Sequence, residues 1–397
     1  MPALPELRLK KNEDRRLRAG HVWVYSNEVD NKQTPLKEFK PGQWCHVTNS
    51  RGRVLGTAYI NPNTLICARL VSRFENQILN PERLIQRIEE ALRLREQVFS
   101  VPCYRLIFAE SDALPGLVVD RYHDVLVVQI TTAGMDAIQD DIISALTGVL
   151  KSKTILLRND SSSRELEGLE CYSKTALGDL SETVELEENN TRFVTSLQQG
   201  QKTGWFYDHR MNRLRMQDYV KDKRVLDVFS YVGASGIQAL QAGAKEVTCV
   251  DSSAFALDLA RQSAALNNRE NDFISIEGDA FEVLKSLHEA TEKYDVVILD
   301  PPAFVKRRKD LKEGSLAYRR INRLAMNLIK NEGILISASC SYHLGREQLL
   351  NEIRQASYLA NVQCQVLEQG HQGPDHPVHA AMKETDYLKS YICHIRK

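Results

Sequence analysis

The chain has 397 residues, which is too long for one ordinary domain and predicts two or three. Its hydrophobic fraction of 43% and charged fraction of 26% are typical of a soluble globular protein. The 52 basic residues balance the 52 acidic ones, so net charge indicates no partner and any nucleic-acid surface must come from local clusters.

The N-terminus lacks the apolar core of a signal peptide, and no stretch approaches the roughly 20 apolar residues of a membrane span. The eight cysteines include no C-x-x-C pair, and reduced thiols are expected in a long chain without an export signal. We therefore expect a cytoplasmic protein without a membrane partner and without a metal site.

The first predicted domain, residues 1–75, is rich in β-strand signals. Turn-forming residues at Pro41-Gly42 and Asn61–Asn63 separate strand-like runs at Val54–Ile60 and Leu65–Val71. The pattern predicts a small β-rich module.

The opening of this module is basic. Arg15 and Arg16 stand in a basic cluster that is followed by Trp23 and Tyr25. Positive charge interleaved with aromatic rings suits RNA, where charge follows phosphate and rings stack on bases. A solvated basic face around a core tryptophan is the alternative.

The second predicted domain, residues 76–190, combines helix and strand periodicity. A helix is predicted from Pro81, and the other predicted elements are strands at Leu117–Val119, Val125–Ile130 and Thr154–Leu157 and a helix near Ala137–Leu150. We expect an α+β platform that connects its neighbours and carries no catalytic constellation.

The third predicted domain, residues 191–397, alternates strands and helices. The predicted strands are 225–229, 246–250, 273–277, 295–299 and 333–338, with helices at Ser253–Asn267 and Ala317–Lys330 among the connections. This order predicts an α/β fold with a mainly parallel, doubly wound sheet. The last two runs, Val362–Leu367 and Tyr387–Ile395, are expected to form an antiparallel hairpin at one edge.

A glycine turn after the first of these strands predicts a nucleotide site. Gly233 and Gly236 allow a tight turn before a helix, and Asp251 ends the next strand, where a carboxylate can accept both hydrogen bonds of a ribose diol. The alternative for Asp251 is an N-cap of the following helix. Asp279 and the Ala280 amide follow the third strand and can meet an adenine edge.

The third glycine of a dinucleotide site is missing, which disfavours NAD and FAD. The order of glycine turn, ribose acid and adenine acid indicates S-adenosylmethionine instead. The predicted cofactor residues of this part of the chain are Asp227, Ser230, Gly233, Gly236, Asp251, Ser252, Asp279, Ala280 and Asp300.

The motif from Asp300 to Phe304, Asp-Pro-Pro-Ala-Phe, stands at the end of the fourth strand, where ligands bind in open α/β sheets. The prolines fix an extended loop, so Asp300 can hydrogen-bond a planar base that stacks near Phe304. A strand terminator with a core ring is the alternative.

Cys340 stands at the end of the fifth strand between two serines, on the sheet edge expected to hold Asp300. Addition of a thiolate to carbon 6 of cytosine would make carbon 5 nucleophilic enough to take a methyl group. Methylation of an exocyclic amine would need only the Asp-Pro-Pro motif, and Cys340 would then be a packing residue.

With these residues the chain resembles the ribosomal RNA large subunit methyltransferase I family of 23S rRNA cytosine-5 methyltransferases. The resemblance implies a PUA-type N-terminal domain, a middle α+β domain and a C-terminal class I, Rossmann-like methyltransferase domain. It also implies that Cys340 is the nucleophile and Asp300 binds the base. The stretch Gly200–Arg210 resembles the family segment over the cofactor, which adds Lys202, Thr203, Gly204 and Asp208 to the cofactor residues.

A basic loop follows Phe304. Lys306, Arg307 and Arg308, with Arg319 further on, are predicted to contact phosphates and to position a base that has left its stack. An exposed solubilising loop is the alternative. The expected partner is 23S rRNA, either naked or in an assembling large subunit, and an exposed strand edge in the platform would permit a homodimer.

Three functions stay open on the sequence. The first is cytosine-5 methylation. The second is N-methylation of a guanine or adenine, because the Asp-Pro-Pro motif also occurs in such enzymes. The third is an RNA-binding assembly factor without turnover, against which intact Asp300 and Cys340 argue. The place of a second cysteine found in many RNA cytosine-5 methyltransferases is taken here by Asp300-Pro-Pro-Ala, so the base that removes the C5 proton is unassigned.

Overall fold

The computed structural model describes residues 4–397. Its contacts divide the chain into two compact units. The first unit runs up to Glu182 and adds Leu197–Trp205 and Pro374–Thr385. The second unit comprises Thr183–Ser196, Phe206–Gly373 and Asp386–Lys397. The division into domains at residues 75 and 190 stays a prediction.

The first unit opens with a five-stranded sheet. Its elements are β1 (Glu6–Arg8), α1 (Arg15–Arg18), β2 (Trp23–Tyr25), β3 (Gln43–Thr48), β4 (Val54–Ile60) and β5 (Ile66–Ser72). The strand order is β1-β3-β4-β5-β2, with β1 and β3 parallel and the other neighbours antiparallel. Alternating side chains such as Leu7, Val24 and Val47 are fully buried and form its core.

A second five-stranded sheet follows in the same unit. Its elements are α2 (Pro81–Val98), β6 (Cys103–Phe108), β7 (Leu117–Tyr122), β8 (Val125–Ile130), α3 (Ala133–Asp136), α4 (Gln139–Leu150), β9 (Thr154–Asn159), α5 (Ser162–Leu166) and β10 (Tyr172–Leu177). The order is β10-β9-β8-β7-β6, and β8 and β9 run parallel because two helices connect them. Asn80 accepts from the Arg83 amide and caps α2, whose first residue is the predicted Pro81.

The second unit holds the β/α alternation predicted for the C-terminal part. Its elements are β11 (Val184–Glu188), β12 (Thr191–Thr195), α6 (Arg210–Met216), β13 (Arg224–Val228), α7 (Ala234–Gln241), β14 (Glu246–Asp251), α8 (Ala254–Leu266), β15 (Phe273–Glu277), α9 (Ala280–Glu289), β16 (Tyr294–Leu299), α10 (Leu311–Leu328), β17 (Ile329–Ser339), α11 (Arg346–Leu359), β18 (Gln363–Gly370) and β19 (Lys389–Arg396).

The strand order of the large sheet is β15-β14-β13-β16-β17-β19-β18. Strands β13 to β17 are parallel, whereas β19 pairs antiparallel with both β17 and β18. The predicted α/β class and the antiparallel hairpin at one edge are therefore confirmed. The parallel strands bring their carboxyl ends to one edge, because Val228 pairs with Leu299 and Leu299 with Ser337.

One predicted helix needs correction. The sequence pattern predicted it at residues 317–330, but α10 begins at Leu311 and ends at Leu328. Polar residues around Lys312 and Glu313 obscured its first turns, although Tyr318 and Ile321 on its buried face are fully covered. The helix therefore starts inside the segment that had been predicted as a basic loop.

None of the helices in residues 4–397, the part of the chain that the structure describes, is both long enough and apolar enough to cross a membrane.

Candidate active site

The turn between β13 and α7 has a strained backbone. Phe229 and Tyr231 adopt positive φ angles of 62° and 50°, and Gly233 follows at 74°. Left-handed conformations of non-glycine residues cost about 1–2 kcal/mol each, and they occur where the surrounding structure holds them. A Cβ atom on Gly233 would lie 2.8 Å from the Cβ of Ala260, so this position has no room for a side chain. Gly233 was predicted from its sequence context, but the two strained aromatic positions were not.

Asp227 fixes the other end of the glycine turn. Its Oδ2 accepts a hydrogen bond of 2.8 Å from the Gly236 amide. Burial raises the pKa of this carboxyl to about 7, the Gly236 hydrogen bond opposes the shift, and the charges of Asp300 and Asp251 add to it. Asp227 therefore holds the Gly236 end of the turn in place through this hydrogen bond.

Asp251 holds the same turn from the neighbouring strand. Its Oδ2 accepts from the Tyr231 amide at 2.8 Å, and its Oδ1 accepts from the Ser253 amide at 3.0 Å. The N-cap of α8 is Ser253, whose Oγ accepts from the Ala256 amide, and not Asp251. A carboxylate has about four acceptor sites, so half-buried Asp251 keeps capacity for a ribose diol.

Asp279 has a capping role that the sequence reasoning did not consider. Its Oδ1 accepts from the amides of Phe281 and Glu282 at 3.0 and 3.2 Å and caps α9. Asp279 is exposed, whereas the neighbouring Ala280 is buried. Its Oδ2 is the atom available to an adenine edge.

Two further predicted cofactor residues flank the glycine turn and the end of β14. Ser230 is buried and its amide donates to the Val250 carbonyl at 3.0 Å, while Ser252 is exposed.

The residues predicted from the stretch Gly200–Arg210 fall in both units. Lys202, Thr203 and Gly204 belong to the first unit, where the Thr203 carbonyl accepts from the Tyr122 hydroxyl at 2.9 Å. Asp208 belongs to the second unit and is buried there. Its Oδ2 accepts from the Tyr387 hydroxyl at 2.5 Å.

The second unit fits the adenosyl part of S-adenosylmethionine. Gly233 is the N-cap of α7 and offers no capping side chain, so the helix N-terminus can present its amides to a ligand. Asp251 lies at the end of the adjacent strand and Asp279 at the end of the strand beyond it. A turn closed to side chains, with acceptors for ribose and adenine on successive strands, suits that molecule.

Asp300 follows β16 and has a partner that the sequence did not reveal. His209 Nε2 lies 3.2 Å from Asp300 Oδ1, and the Asp300 side chain keeps 36% of its surface exposed. Burial lowers the pKa of His209, but the charge and hydrogen bond of Asp300 outweigh burial and raise it. One Asp300 oxygen is thus held by His209, and the side chain remains open to a ligand.

Cys340 follows β17, next to the strand that ends before Asp300, and is partly exposed. A buried hydroxyl network holds the turn around it. Ser339 Oγ donates to the Tyr318 hydroxyl at 2.8 Å, and that hydroxyl lies 2.9 Å from Ser341 Oγ. The Val305 amide also donates to Ser341 Oγ at 3.1 Å, which ties the Asp-Pro-Pro loop to the cysteine turn.

Phe304 lies among core rings. Its ring centroid is 4.9 Å from Tyr318, 6.1 Å from Phe281 and 6.3 Å from Phe229. Phe304 also packs against the main hydrophobic cluster of this unit. These contacts favour the core-ring alternative over base stacking.

The predicted RNA-contact arginines differ in their environments. Arg307 and Arg308 are exposed beside Lys306, and Arg307 pairs with Asp310 at 3.2 Å. Arg319 instead pairs with the largely buried Glu352 at 2.8 Å, which gives it a structural partner in α11.

The basic cluster of the first module is also divided. Arg16 pairs with Glu28 at 2.6 Å and stacks 4.6 Å above the Tyr25 ring, so it is part of the packing. Arg15 is exposed and remains available to a phosphate. The Trp23 indole donates to Glu110 at 2.8 Å.

Within residues 4–397, no group of three or more His, Cys, Asp and Glu side chains is arranged to hold a metal ion.

Comparison with known proteins adds family relationships to this geometry. Residues 7–73 match the family model of a PUA-like domain, and residues 164–387 match that of an S-adenosylmethionine-dependent methyltransferase. The ribosomal RNA large subunit methyltransferase I of Tolumonas auensis is 34% identical over 391 residues, which cover 97% of this chain and 98% of that protein. The protein of the same name from Cronobacter sakazakii is 32% identical over 392 residues, with 98% of each covered. Among solved structures, the methyltransferase SMU.776 complexed with SAH shares the fold, with a TM-score of 0.84 at 21% identity and coverage of 98% of this chain and 100% of that one.

Proposed function

The chain belongs to the ribosomal RNA large subunit methyltransferase I family, and we propose that it forms 5-methylcytosine in 23S ribosomal RNA. It is an S-adenosylmethionine-dependent methyltransferase of large-subunit ribosomal RNA with a PUA-like RNA-binding domain. The observation that supports the C5 position is the partly exposed Cys340 thiol beyond β17, on the strand next to the one that leads to Asp300.

The cofactor roles follow from the hydrogen-bonding capacity of the second unit. We assign the ribose diol to Asp251, the adenine edge to Asp279 and Ala280, and the amides between Gly233 and Gly236, at the start of α7, to the rest of the nucleoside. When bound, S-adenosylmethionine supplies a methyl group activated by a sulfonium.

Cysteine chemistry meets a specific need of cytosine. Carbon 5 is a poor nucleophile, so the Cys340 thiolate first adds its electron pair to carbon 6. The pair of the former C5=C6 bond would then make carbon 5 nucleophilic. Carbon 5 would bond to the methyl carbon as the bond from that carbon to the sulfonium sulfur breaks, and the electron pair of the broken bond would stay on the sulfur of S-adenosylhomocysteine. Loss of the C5 proton to a base re-forms the double bond and expels the Cys340 thiolate, so the residue is regenerated.

Asp300 positions the base for this addition. With one oxygen held by His209 at 3.2 Å, its carboxylate can accept a hydrogen bond from the exocyclic amino group of cytosine. The Pro301-Pro302 pair keeps the loop extended, which fixes the direction of that bond.

The test uses the purified chain, methyl-labelled S-adenosylmethionine and 23S rRNA lacking its modifications. We expect labelled 5-methylcytidine when the product is digested and its nucleosides are identified by mass spectrometry. Cys340→Ala should abolish that product, whereas Cys171→Ala, at an exposed cysteine, should retain it. Full cytosine methylation by Cys340→Ala would contradict the covalent mechanism.

The same digest separates the other functions. A labelled N-methyl purine would keep the fold and cofactor but replace the thiol mechanism with direct transfer to nitrogen. Absence of label from naked rRNA and from partly assembled large subunits alike would support the assembly-factor function.

A further inference from the structure

A buried lysine lies beside the cysteine turn. Lys389, the first residue of β19, pairs in the antiparallel ladder with Ser339, which directly precedes Cys340. Only 6% of the Lys389 surface is exposed. Lys389 belongs to none of the sequence motifs that suggested the function. It comes close to the cysteine turn only because β19 pairs with β17.

The Lys389 ammonium is held at a defined point. Its Nζ donates to the Ser341 carbonyl at 2.6 Å and to the Tyr387 carbonyl at 2.7 Å. Two of its three N–H donors are thereby used, and the bond to Ser341 places the charge at the residue that follows Cys340. Carbonyl oxygens carry no net charge, however, so they do not neutralise a buried cation, which is costly without a counterion.

The charges that face Lys389 identify the counterion. Burial lowers its pKa to about 8, the negative charges of Cys340 and Asp386 raise it, and Arg346 at the start of α11 lowers it. Asp386 is exposed, so water screens its charge. On the other side of the cysteine, α10 contributes Tyr318, whose pKa is raised by burial and by the Cys340 charge. Cys340 is only partly exposed, so its thiolate is the less screened of these two negative charges.

We infer that the Lys389 ammonium is the countercharge that keeps Cys340 in its thiolate form. Charge interactions are mutual, so an attraction that favours the ammonium favours the thiolate equally. When Cys340 ionises, its sulfur keeps the bonding electron pair, the proton passes to solvent, and Lys389 keeps its three protons. The inference rests on the proposed nucleophilic role of Cys340 and makes Lys389 a positioning residue that acts through that thiol.

The test measures thiol reactivity and needs neither RNA nor methyl donor. The full chain is alkylated with iodoacetamide between pH 5 and 10, and peptide mass spectrometry follows Cys340 against the exposed Cys171 in the same sample. A free thiol ionises near pH ~8.5. We expect the Cys340 rate to reach its half-maximum about one pH unit below that of Cys171.

Two variants separate charge from hydrogen bonding. Lys389→Gln can still donate to a carbonyl but has no charge, and it should raise the Cys340 midpoint by about one pH unit, which is a roughly tenfold lower rate at pH 7. Lys389→Arg keeps the charge and should restore most of the shift. Lys330→Gln, at a half-exposed lysine that pairs with Asp295, is the matched control and should leave both midpoints unchanged.

An unchanged Cys340 midpoint in Lys389→Gln would show that the lysine only caps carbonyls and would overturn the inference. If that variant fails to fold, the unmodified chain decides by itself, because a Cys340 midpoint equal to that of Cys171 is also contrary to the inference. A Lys389-dependent thiolate in a chain that makes no 5-methylcytidine would refute the proposed function and leave the ion pair standing.

Discussion

At the scale of single residues, the surroundings of the Asp227 carboxyl, below the glycine turn, oppose its ionisation. Asp227 is buried, and Asp251 and Asp300 both repel its charge. An acid whose folded pKa is raised binds its proton more tightly in the folded chain than in the unfolded chain. Stability therefore falls as pH rises from about 4 to about 7, the pKa of Asp227 in the folded chain, and the loss is complete above it.

The substitution Asp227→Asn tests this sign. Asparagine keeps an oxygen for the Gly236 amide but cannot ionise. We expect its melting temperature to exceed that of the original chain by on the order of 5 °C at pH 8, and the two to converge near pH 4. Asp218→Asn, at an exposed position, serves as control. A difference between Asp227→Asn and the original chain that does not vary with pH would contradict the argument.

The His209–Asp300 pair gives stability the same direction of pH dependence as Asp227, but through an attraction and not through burial and repulsion. The carboxylate outweighs burial and raises the pKa of His209, so the pair stabilises the fold below the unfolded value and this contribution is lost as pH rises through the folded value. Asp300→Asn should lower the titration midpoint of His209, measured by NMR of its imidazole. Asp295→Asn, at the opposite end of β16, should not move it. Equal midpoints in Asp300→Asn and the original chain would exclude the ion pair as the cause.

At the scale of elements, one hydroxyl joins three parts of the site. Tyr318 of α10 bonds both serines that flank Cys340, and Ser341 also accepts from the loop after Asp300. Tyr318→Phe would leave two buried serine hydroxyls short of a partner, at a cost of about 1–3 kcal/mol. We expect a lower melting temperature and faster exchange of the Ser341 amide hydrogen.

Tyr358→Phe is the matched control, because Tyr358 on α11 is 81% exposed. It should change stability by less than about 0.5 kcal/mol. Equal melting temperatures for the two variants would mean that the network does not hold the cysteine turn.

Sequence periodicity located the elements of the site but not their partners. Gly233, Asp300 and Cys340 could be placed at strand ends because buried parallel strands read as apolar runs followed by turn residues. His209 lies 91 positions before Asp300, and Lys389 reaches the cysteine turn only through antiparallel pairing, so neither contact has a local signal. Phe304 could be read as a stacking ring or a core ring, and only the neighbouring rings of Tyr318 and Phe281 favour the second.

At the scale of the whole chain, the contacts of the structure place in one unit segments that the sequence periodicity had assigned to different domains. Pro374–Thr385 and Leu197–Trp205 belong to the first unit, although both stand within the predicted third domain. Arg95 of α2 illustrates why, since its Nη2 donates to the carbonyl of Asp375, 280 positions away. Long-range contacts of this kind form because buried polar groups need hydrogen-bond partners. They produce no signal in the local sequence pattern.

RNA binding is the property of the whole chain that charge should control. Net charge is zero, so attraction to phosphate must arise from clusters such as Lys306, Arg307 and Arg308, which are exposed beyond the carboxyl end of β16. Reversing all three charges should weaken binding to a 23S rRNA fragment and reduce the slope of log affinity against log salt by roughly 2–3. A salt titration by filter binding or fluorescence anisotropy measures both.

The control reverses the charges of three lysines at the amino ends of the parallel strands in the same sheet. Lys221 and Lys223 precede β13 and Lys245 precedes β14, and all three are exposed. The two triple variants have the same net charge, so a difference between them reports position and not total charge. We expect the control to keep most of the salt slope, since its charges lie away from the carboxyl ends of the strands. Equal losses would assign RNA attraction to the charge of the chain as a whole and remove the loop after Phe304 from the binding surface.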